Sequence, residues 1–125
     1  MIRIAIVDDI IEICSSLERI LLHYAEKIDE KIEVEPYTSS ETFFSALGNN
    51  ETFDLIYLDI EIDNRTGIDI ANHIRSVMDD ELQQIVYISG KPEYSIKLHE
   101  THPLDFIIKP IKQESVEKIM NRYMK

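Results

Sequence analysis

The stretch Ile2-Arg3-Ile4-Ala5-Ile6-Val7-Asp8-Asp9 carries the reading of the fold. Ile2 to Val7 is a β-branched run with no polar face, the pattern of a strand buried on both sides within a parallel sheet. Two carboxylates follow it at once. From about Ile10 to Ile28 the apolar residues Ile10, Cys14, Leu17, Leu21, Tyr24 and Ile28 recur at steps of four and three, one face of a helix. Cys14 lies on that stripe and reads as a buried core thiol.

The same alternation runs to the end of the chain. Ile32-Glu33-Val34-Glu35 alternates, as a half-exposed edge strand does. Thr38, Ser39 and Ser40 offer N-caps to a short helix carrying Phe43, Phe44 and Leu47 and stopped near Gly48-Asn49. Leu55 to Leu58 and Ile85 to Ile88 are further buried strands, separated by a helix after Gly67 with Ile70, Ile74 and Val77 inward. A short, weakly patterned helix is expected from near Tyr94, then a last strand at Phe106-Ile107-Ile108. The final helix, about Gln113 to Met124, buries Val116, Ile119, Met120 and Tyr123. Strands alternating with helices in this way predict an α/β, (βα)5, doubly wound five-stranded parallel sheet. A chain of 125 residues is too short for a barrel of eight such units. The flavodoxin-like strand order 2-1-3-4-5 fits the edge strand and the length.

Composition narrows the function. The chain is expected to be one domain, 1–125, without a flexible linker, since it holds three Gly and four Pro. It carries 13 Lys and Arg against 24 Asp and Glu, a net charge of −11. That balance argues against direct nucleic-acid binding by these residues and against adhesion to an anionic membrane. No apolar run reaches the roughly 18–20 residues of a spanning helix, and Met1-Ile2-Arg3-Ile4 does not open like a signal peptide. Cys14 is the one cysteine and cannot form an internal disulfide. A cytoplasmic setting is expected.

The residues able to do chemistry gather at strand ends. Asp8 and Asp9 follow the first strand, Asp59 ends the third, Ser89 ends the fourth and Lys109 follows the fifth. Ligands of open parallel sheets bind just outside those ends, so these side chains should converge. Three neighbouring carboxylates repel unless a cation joins them. A hard divalent ion, Mg2+ or Mn2+, suits an all-oxygen site that keeps places for water and phosphate. With the Lys109 ammonium and the Ser89 hydroxyl, it would make a clamp for a phosphoryl group. No Gly-rich nucleotide loop is present. A carboxylate nucleophile remains, able to form an acyl phosphate. Asp59 is the best placed, between the acidic pair and the Ser/Lys pair, which leaves Asp8 and Asp9 as metal ligands.

These residues resemble a known family. Ile4-Ala5-Ile6-Val7-Asp8-Asp9, Leu58-Asp59-Ile60, Gly67, Ile88-Ser89-Gly90 and Phe106-Ile107-Ile108-Lys109-Pro110 are similar to the receiver domain of two-component response regulators. Asp59-Ile60-Glu61, Glu93-Tyr94-Ser95 and Pro103-Leu104-Asp105-Phe106 resemble, more closely, receivers that precede LytTR-type DNA-binding domains of transcriptional regulators. The resemblance implies that Asp59 accepts a phosphoryl group from a sensor histidine kinase. It implies that Asp9 binds the metal directly, that Asp8 helps through water and that Glu61 lends its backbone carbonyl. It makes Ser89 and Lys109 the phosphate contacts, Ser89 and Phe106 the switch pair, and Lys109–Pro110 a cis peptide. The partners implied are the kinase, an output domain or downstream protein, and a homodimer formed on phosphorylation.

The loop Ile62-Asp63-Asn64-Arg65-Thr66 departs from the family by lacking a proline, and Ser89 replaces the commoner Thr. Glu61 and Lys91 lie where the family tunes dephosphorylation. His99 and His102 sit three apart but lack a third ligand for a metal. Two other functions compete. A phosphatase of the haloacid-dehalogenase type would want an Asp where Glu61 stands, and a cap domain. A scaffold that binds a partner without phosphorylation would be expected to have lost part of the acidic set or the lysine. The reading is therefore a switch that catalyses only its own phosphorylation and dephosphorylation. The chain would be a single-domain receiver or the receiver of a longer regulator, its output domain absent from this chain.

Overall fold

The computed structural model of the protein describes residues 1–62, 65–92 and 100–124. Five strands form one parallel sheet: β1 (Ile2–Val7), β2 (Ile32–Tyr37), β3 (Leu55–Asp59), β4 (Gln84–Ser89) and β5 (Asp105–Ile108). Their order is β2-β1-β3-β4-β5, the flavodoxin-like order expected from the sequence. Ile4 to Val7 have no exposed surface, which is why this strand needs no polar face. The register sets Val7 beside Leu58, Asp59 beside Ile88 and Ser89 beside Ile108, so the strand ends line up along one rim.

Each face of the sheet has its own core. Ile4, Ile6, Tyr57, Val86 and Ile88 meet α1 (Ile11–Ile28) and α4 (Gln113–Tyr123). Ala5, Val7, Ile56, Leu58, Ile85 and Tyr87 meet α2 (Ser40–Gly48) and α3 (Gly67–Asn72). Ser39 is the cap of α2, its Oγ accepting from the Thr42 amide at 3.1 Å. Thr66 and Asp69 form a reciprocal capping box that starts α3. Among the described residues, no helix is long and apolar enough to cross a membrane.

The expectations need correction at element ends. Ile10 is exposed and precedes α1 as its cap, and Ile28 also reaches the surface, while Ile20 and Ala25 join the buried stripe. A stripe read at regular steps overshoots where a helix outruns the sheet beneath it. Val77, expected inward, is 72% exposed. Beyond Asn72 the helix widens into a π turn, His73–Val77, in which the Met78 amide bonds the His73 carbonyl at 3.0 Å. The extra residue in that turn breaks the 3.6-residue period that placed Val77 with Ile70 and Ile74. β2 runs on through Pro36, which an edge strand tolerates. A small antiparallel ribbon, Glu61–Ile62 with Arg65–Thr66, was not expected. The helix expected near Tyr94, the segment Glu93-Tyr94-Ser95 and His99 lie outside the described residues, as do Asp63 and Asn64.

Candidate functional site

The carboxyl ends of β1 and β3 bring three acids together. Carboxylate oxygens of Asp8, Asp9 and Asp59 all lie within 4.8 Å of one another. Asp8 has no exposed surface, Asp59 is 4% exposed, and Asp9 is exposed. Asp8 is held from several sides: its amide donates to the Tyr37 carbonyl at 3.0 Å, and its Oδ1 accepts from the Ile10 amide at 2.9 Å. The Cys14 thiol donates to its carbonyl at 3.3 Å. Burial pushes that thiol up to about 11, with the Asp8 charge adding to the effect, so Cys14 packs and donates rather than reacts.

Lys109, from just beyond β5, supplies the positive charge. Its Nζ lies 3.1 Å from Asp8 Oδ2 and 3.6 Å from Asp59 Oδ1. The approach to Asp8 has ion-pair distance but not hydrogen-bond direction, and the buried Oδ2 has no donor aimed at it. Lys109 thus faces both buried acids, Asp8 and Asp59, with one ammonium. Burial, then the Asp8 charge, pushes the Asp59 carboxyl up to about 6, against the pull of Lys109 and the Glu61 amide. That amide donates to Asp59 Oδ1 at 3.4 Å.

The donor set fits a hard divalent cation. It is all oxygen, it has excess negative charge, and it includes a buried carboxylate oxygen without a donor. Mg2+ or Mn2+ suits it; a soft metal wanting sulfur or imidazole does not.

Ser89 is buried at the end of β4 beside this cluster. Its Oγ accepts from the Lys91 amide at 3.0 Å, and its carbonyl accepts from the Lys109 amide at 2.8 Å. The Lys91 ammonium pairs with Glu61 Oε1 at 3.1 Å, an exposed link between the loops after β3 and β4. Phe106 is not in the acidic cluster. It stands half-buried in β5, in register with Tyr87 and packed against the second core. The Lys109–Pro110 peptide is cis. Gly67 lies under the site: a Cβ there would meet the Asp59 carbonyl oxygen at 2.3 Å. Its amide bonds the Ile60 carbonyl at 2.6 Å, so only glycine lets α3 start this close to β3.

The sequence reading missed one constellation nearby. The Tyr87 and Thr101 hydroxyls bond at 2.6 Å. The Arg75 guanidinium is buried and donates to the Thr101, Asp80 and His102 carbonyls at 2.9, 3.0 and 3.4 Å. Arg75 falls on the inward stripe four residues after Ala71, but the sequence does not show which carbonyls would meet a buried guanidinium there.

Residues 4–121 match the family model of the response regulator receiver domain. The sensory transduction protein LytT of Bacillus subtilis is 26% identical over 125 residues, covering all of this chain and 49% of that protein. The sensory transduction protein LytR of Staphylococcus epidermidis is 32% identical over 102 residues, covering 82% of this chain and 38% of that protein. The chain thus spans half or less of the length of these relatives. Among solved structures, the chemotaxis response regulator CheY4 of Vibrio cholerae superposes with a TM-score of 0.82 at 21% identity, covering 98% of each chain. The response regulator TrrA of Thermotoga maritima, solved with Mg2+ and BeF, gives 0.81 at 21% identity, covering 98% of this chain and 99% of that one. At such identities these two likenesses concern the fold.

Proposed function

The chain belongs to the response regulator receiver domain family, and we propose that Asp59 accepts a phosphoryl group from a sensor histidine kinase and that the modification switches a binding surface. The observation that carries this reading is the Asp59 carboxylate itself, buried, strand-anchored and flanked by Asp8, Asp9 and Lys109.

Asp8, Asp9 and Asp59, with the Glu61 carbonyl, would hold Mg2+ or Mn2+. When bound, the ion offsets the carboxylate repulsion and draws charge from the phosphoryl oxygens. Asp59 is the nucleophile. One of its oxygens bonds to phosphorus as the phosphorus–nitrogen bond to the donor imidazole breaks and the electron pair returns to nitrogen. Lys109 stays beside the new acyl phosphate and stabilises the charge it gains. The Ser89 hydroxyl moves off the Lys91 amide to donate to a phosphoryl oxygen. Phe106, on the neighbouring strand, turns inward as it does so. Burial of Asp59 limits water at the acyl phosphate, and the Glu61–Lys91 pair sets how readily water returns. The chain does no other catalysis.

The output follows from the relatives. LytT and LytR are named as sensory transduction proteins and are about twice as long as this chain. We read this chain as the receiver of a cytoplasmic transcriptional regulator whose LytTR-type output domain contacts DNA while this domain contacts neither nucleic acid nor membrane. Phosphorylation would favour a homodimer.

Intact mass after incubation with a small phosphodonor tests the reading, with and without Mg2+, for wild type and Asp59→Asn in parallel. Gain of one phosphoryl group by wild type only, abolished by chelator, is expected. No gain by folded wild type would favour a phosphorylation-independent scaffold. Release of phosphate with many turnovers would make the chain a phosphatase.

A further inference from the structure

We propose that the Tyr87–Thr101 hydroxyl pair is a latch on the unmodified state: it fixes the Tyr87 ring at the edge of the space that Phe106 turns into, and it opens when Asp59 is modified. The inference deepens the reading of Asp59 as phosphoryl acceptor and rests on it. Neither residue belongs to the acidic cluster. They act through Phe106 and Ser89, as positioning residues.

Tyr87 and Ser89 stand two apart on β4 and so share one face of the sheet. Tyr87 is in register with Phe106 of β5, and both pack in the second core. Side chains at one register position of neighbouring strands lie side by side on one face. The two rings are therefore neighbours, Tyr87 with no exposed surface and Phe106 half-buried. An inward turn of Phe106 carries its ring toward the core against the Tyr87 ring. That ring is held at its far end, where its hydroxyl meets Thr101 Oγ1 at 2.6 Å. Thr101 is itself 2% exposed.

The other half of the latch is anchored. The Thr101 carbonyl accepts from Arg75 Nε at 2.9 Å, and the same guanidinium takes the Asp80 and His102 carbonyls. One buried side chain thus ties the loop after α3 to the turn before β5. That turn is further fixed by the Leu104 amide, which bonds the Ile85 carbonyl at 2.8 Å. Thr101 therefore holds its hydroxyl at a set place over β4.

Packing alone does not require this pair. Phe and Val would fill the same volume, and apolar groups of one shape in place of both hydrogen-bond partners are nearly neutral. What the hydroxyls add is direction: they hold one arrangement, and the bond is lost when either the ring or the turn shifts. One ordinary hydrogen bond biases a two-state equilibrium about fivefold. That is enough to set how readily the domain switches without preventing it.

The test uses Mg2+ with BeF, the pair present in the TrrA structure, as a phosphoryl mimic. Its affinity is read from the amide resonances of Ser89 and Phe106 in wild type, Tyr87→Phe, Thr101→Val and the double variant. Each single variant should bind the mimic about fivefold more tightly than wild type. The double variant should bind no more tightly than either, since one bond is lost in all three. Thr101→Ser keeps a hydroxyl and should bind like wild type. Phosphorylation by a small phosphodonor, followed by intact mass, should quicken in the same variants. Circular dichroism and urea unfolding check that each variant is folded, and Tyr87→Phe, which keeps the ring, decides the matter should Thr101→Val fail to fold. A pair with a structural role only would lower stability and leave affinity for the mimic unmoved. Unchanged or weaker binding by Tyr87→Phe, additive effects in the double variant, or Thr101→Ser behaving like Thr101→Val would overturn the latch and leave the reading of Asp59 standing. Wild type that binds no mimic and gains no phosphoryl group would overturn that reading, and the latch with it.

Discussion

Lys109 and Asp8 are an ion pair from opposite ends of the chain, Nζ to Oδ2 at 3.1 Å, and the aspartate has no exposed surface. No aligned hydrogen bond accompanies the charge contact. The Asp8 oxygen is therefore charge-paired but still without a hydrogen-bond donor.

Lys109→Met removes the positive charge and leaves Asp8 buried without it. Losing one partner of a buried pair costs about 3 kcal/mol. Urea unfolding of the metal-free variant should show a loss of that order, and Mg2+ should restore part of it. An unchanged midpoint would mean that the Lys109 charge does not stabilise the fold.

Asp59 makes stability depend on pH in an unusual direction. Its folded value is about 6 against an ordinary 3.8, so between those values the fold keeps a proton that the unfolded chain has lost. Stability from this group is present at the acid end of that window. It falls as pH rises, the loss being complete above about 6 and amounting to about 3 kcal/mol. Asp59→Asn should therefore be more stable than wild type at pH 7 without metal, with the gap closing toward pH 4. Equal gaps at both pH values would remove this account.

Mg2+ should act on the same repulsion. Ligand at a hundred times its dissociation constant stabilises a fold by about 2.7 kcal/mol. The expected rise in Tm is large for wild type, reversed by chelator, and much reduced in Asp9→Asn. An undiminished rise in that variant would place the ion elsewhere.

Gly67→Ala forces a Cβ against the Asp59 carbonyl, 2.3 Å away. The backbone must give, since no flexible side chain stands there. A loss of about 2 kcal/mol is expected, with slower phosphorylation because Asp59 shifts with its carbonyl. Wild-type stability would show that the ribbon before α3 yields freely.

Arg75→Met takes one guanidinium from three carbonyls. Hydrogen bonds to a charged group are worth about 1.5–3 kcal/mol. Hydrogen exchange should quicken at Thr101 and His102 before it does in β1 or β3. Uniform quickening would make Arg75 a general core residue rather than the tie of that segment.

The sequence alone determined the sheet and the chemistry of its rim. Buried parallel strands need apolar runs without a polar face, and Ile4–Val7, Leu55–Leu58 and Ile85–Ile88 are such runs. The acids, serine and lysine stand next to the runs in the chain, so their place at the strand ends is a local fact. Val77 could not be read, because whether a helix widens near its end depends on what its next turn packs against. Arg75 and Thr101 were silent for another reason: a buried guanidinium needs carbonyl partners, and here they come from two segments distant in the chain. The pairing of Lys109 with Asp8 and the proton affinity of Asp59 are sums over residues far apart in the chain. Distance and burial set their size, and only the packed tertiary structure supplies those.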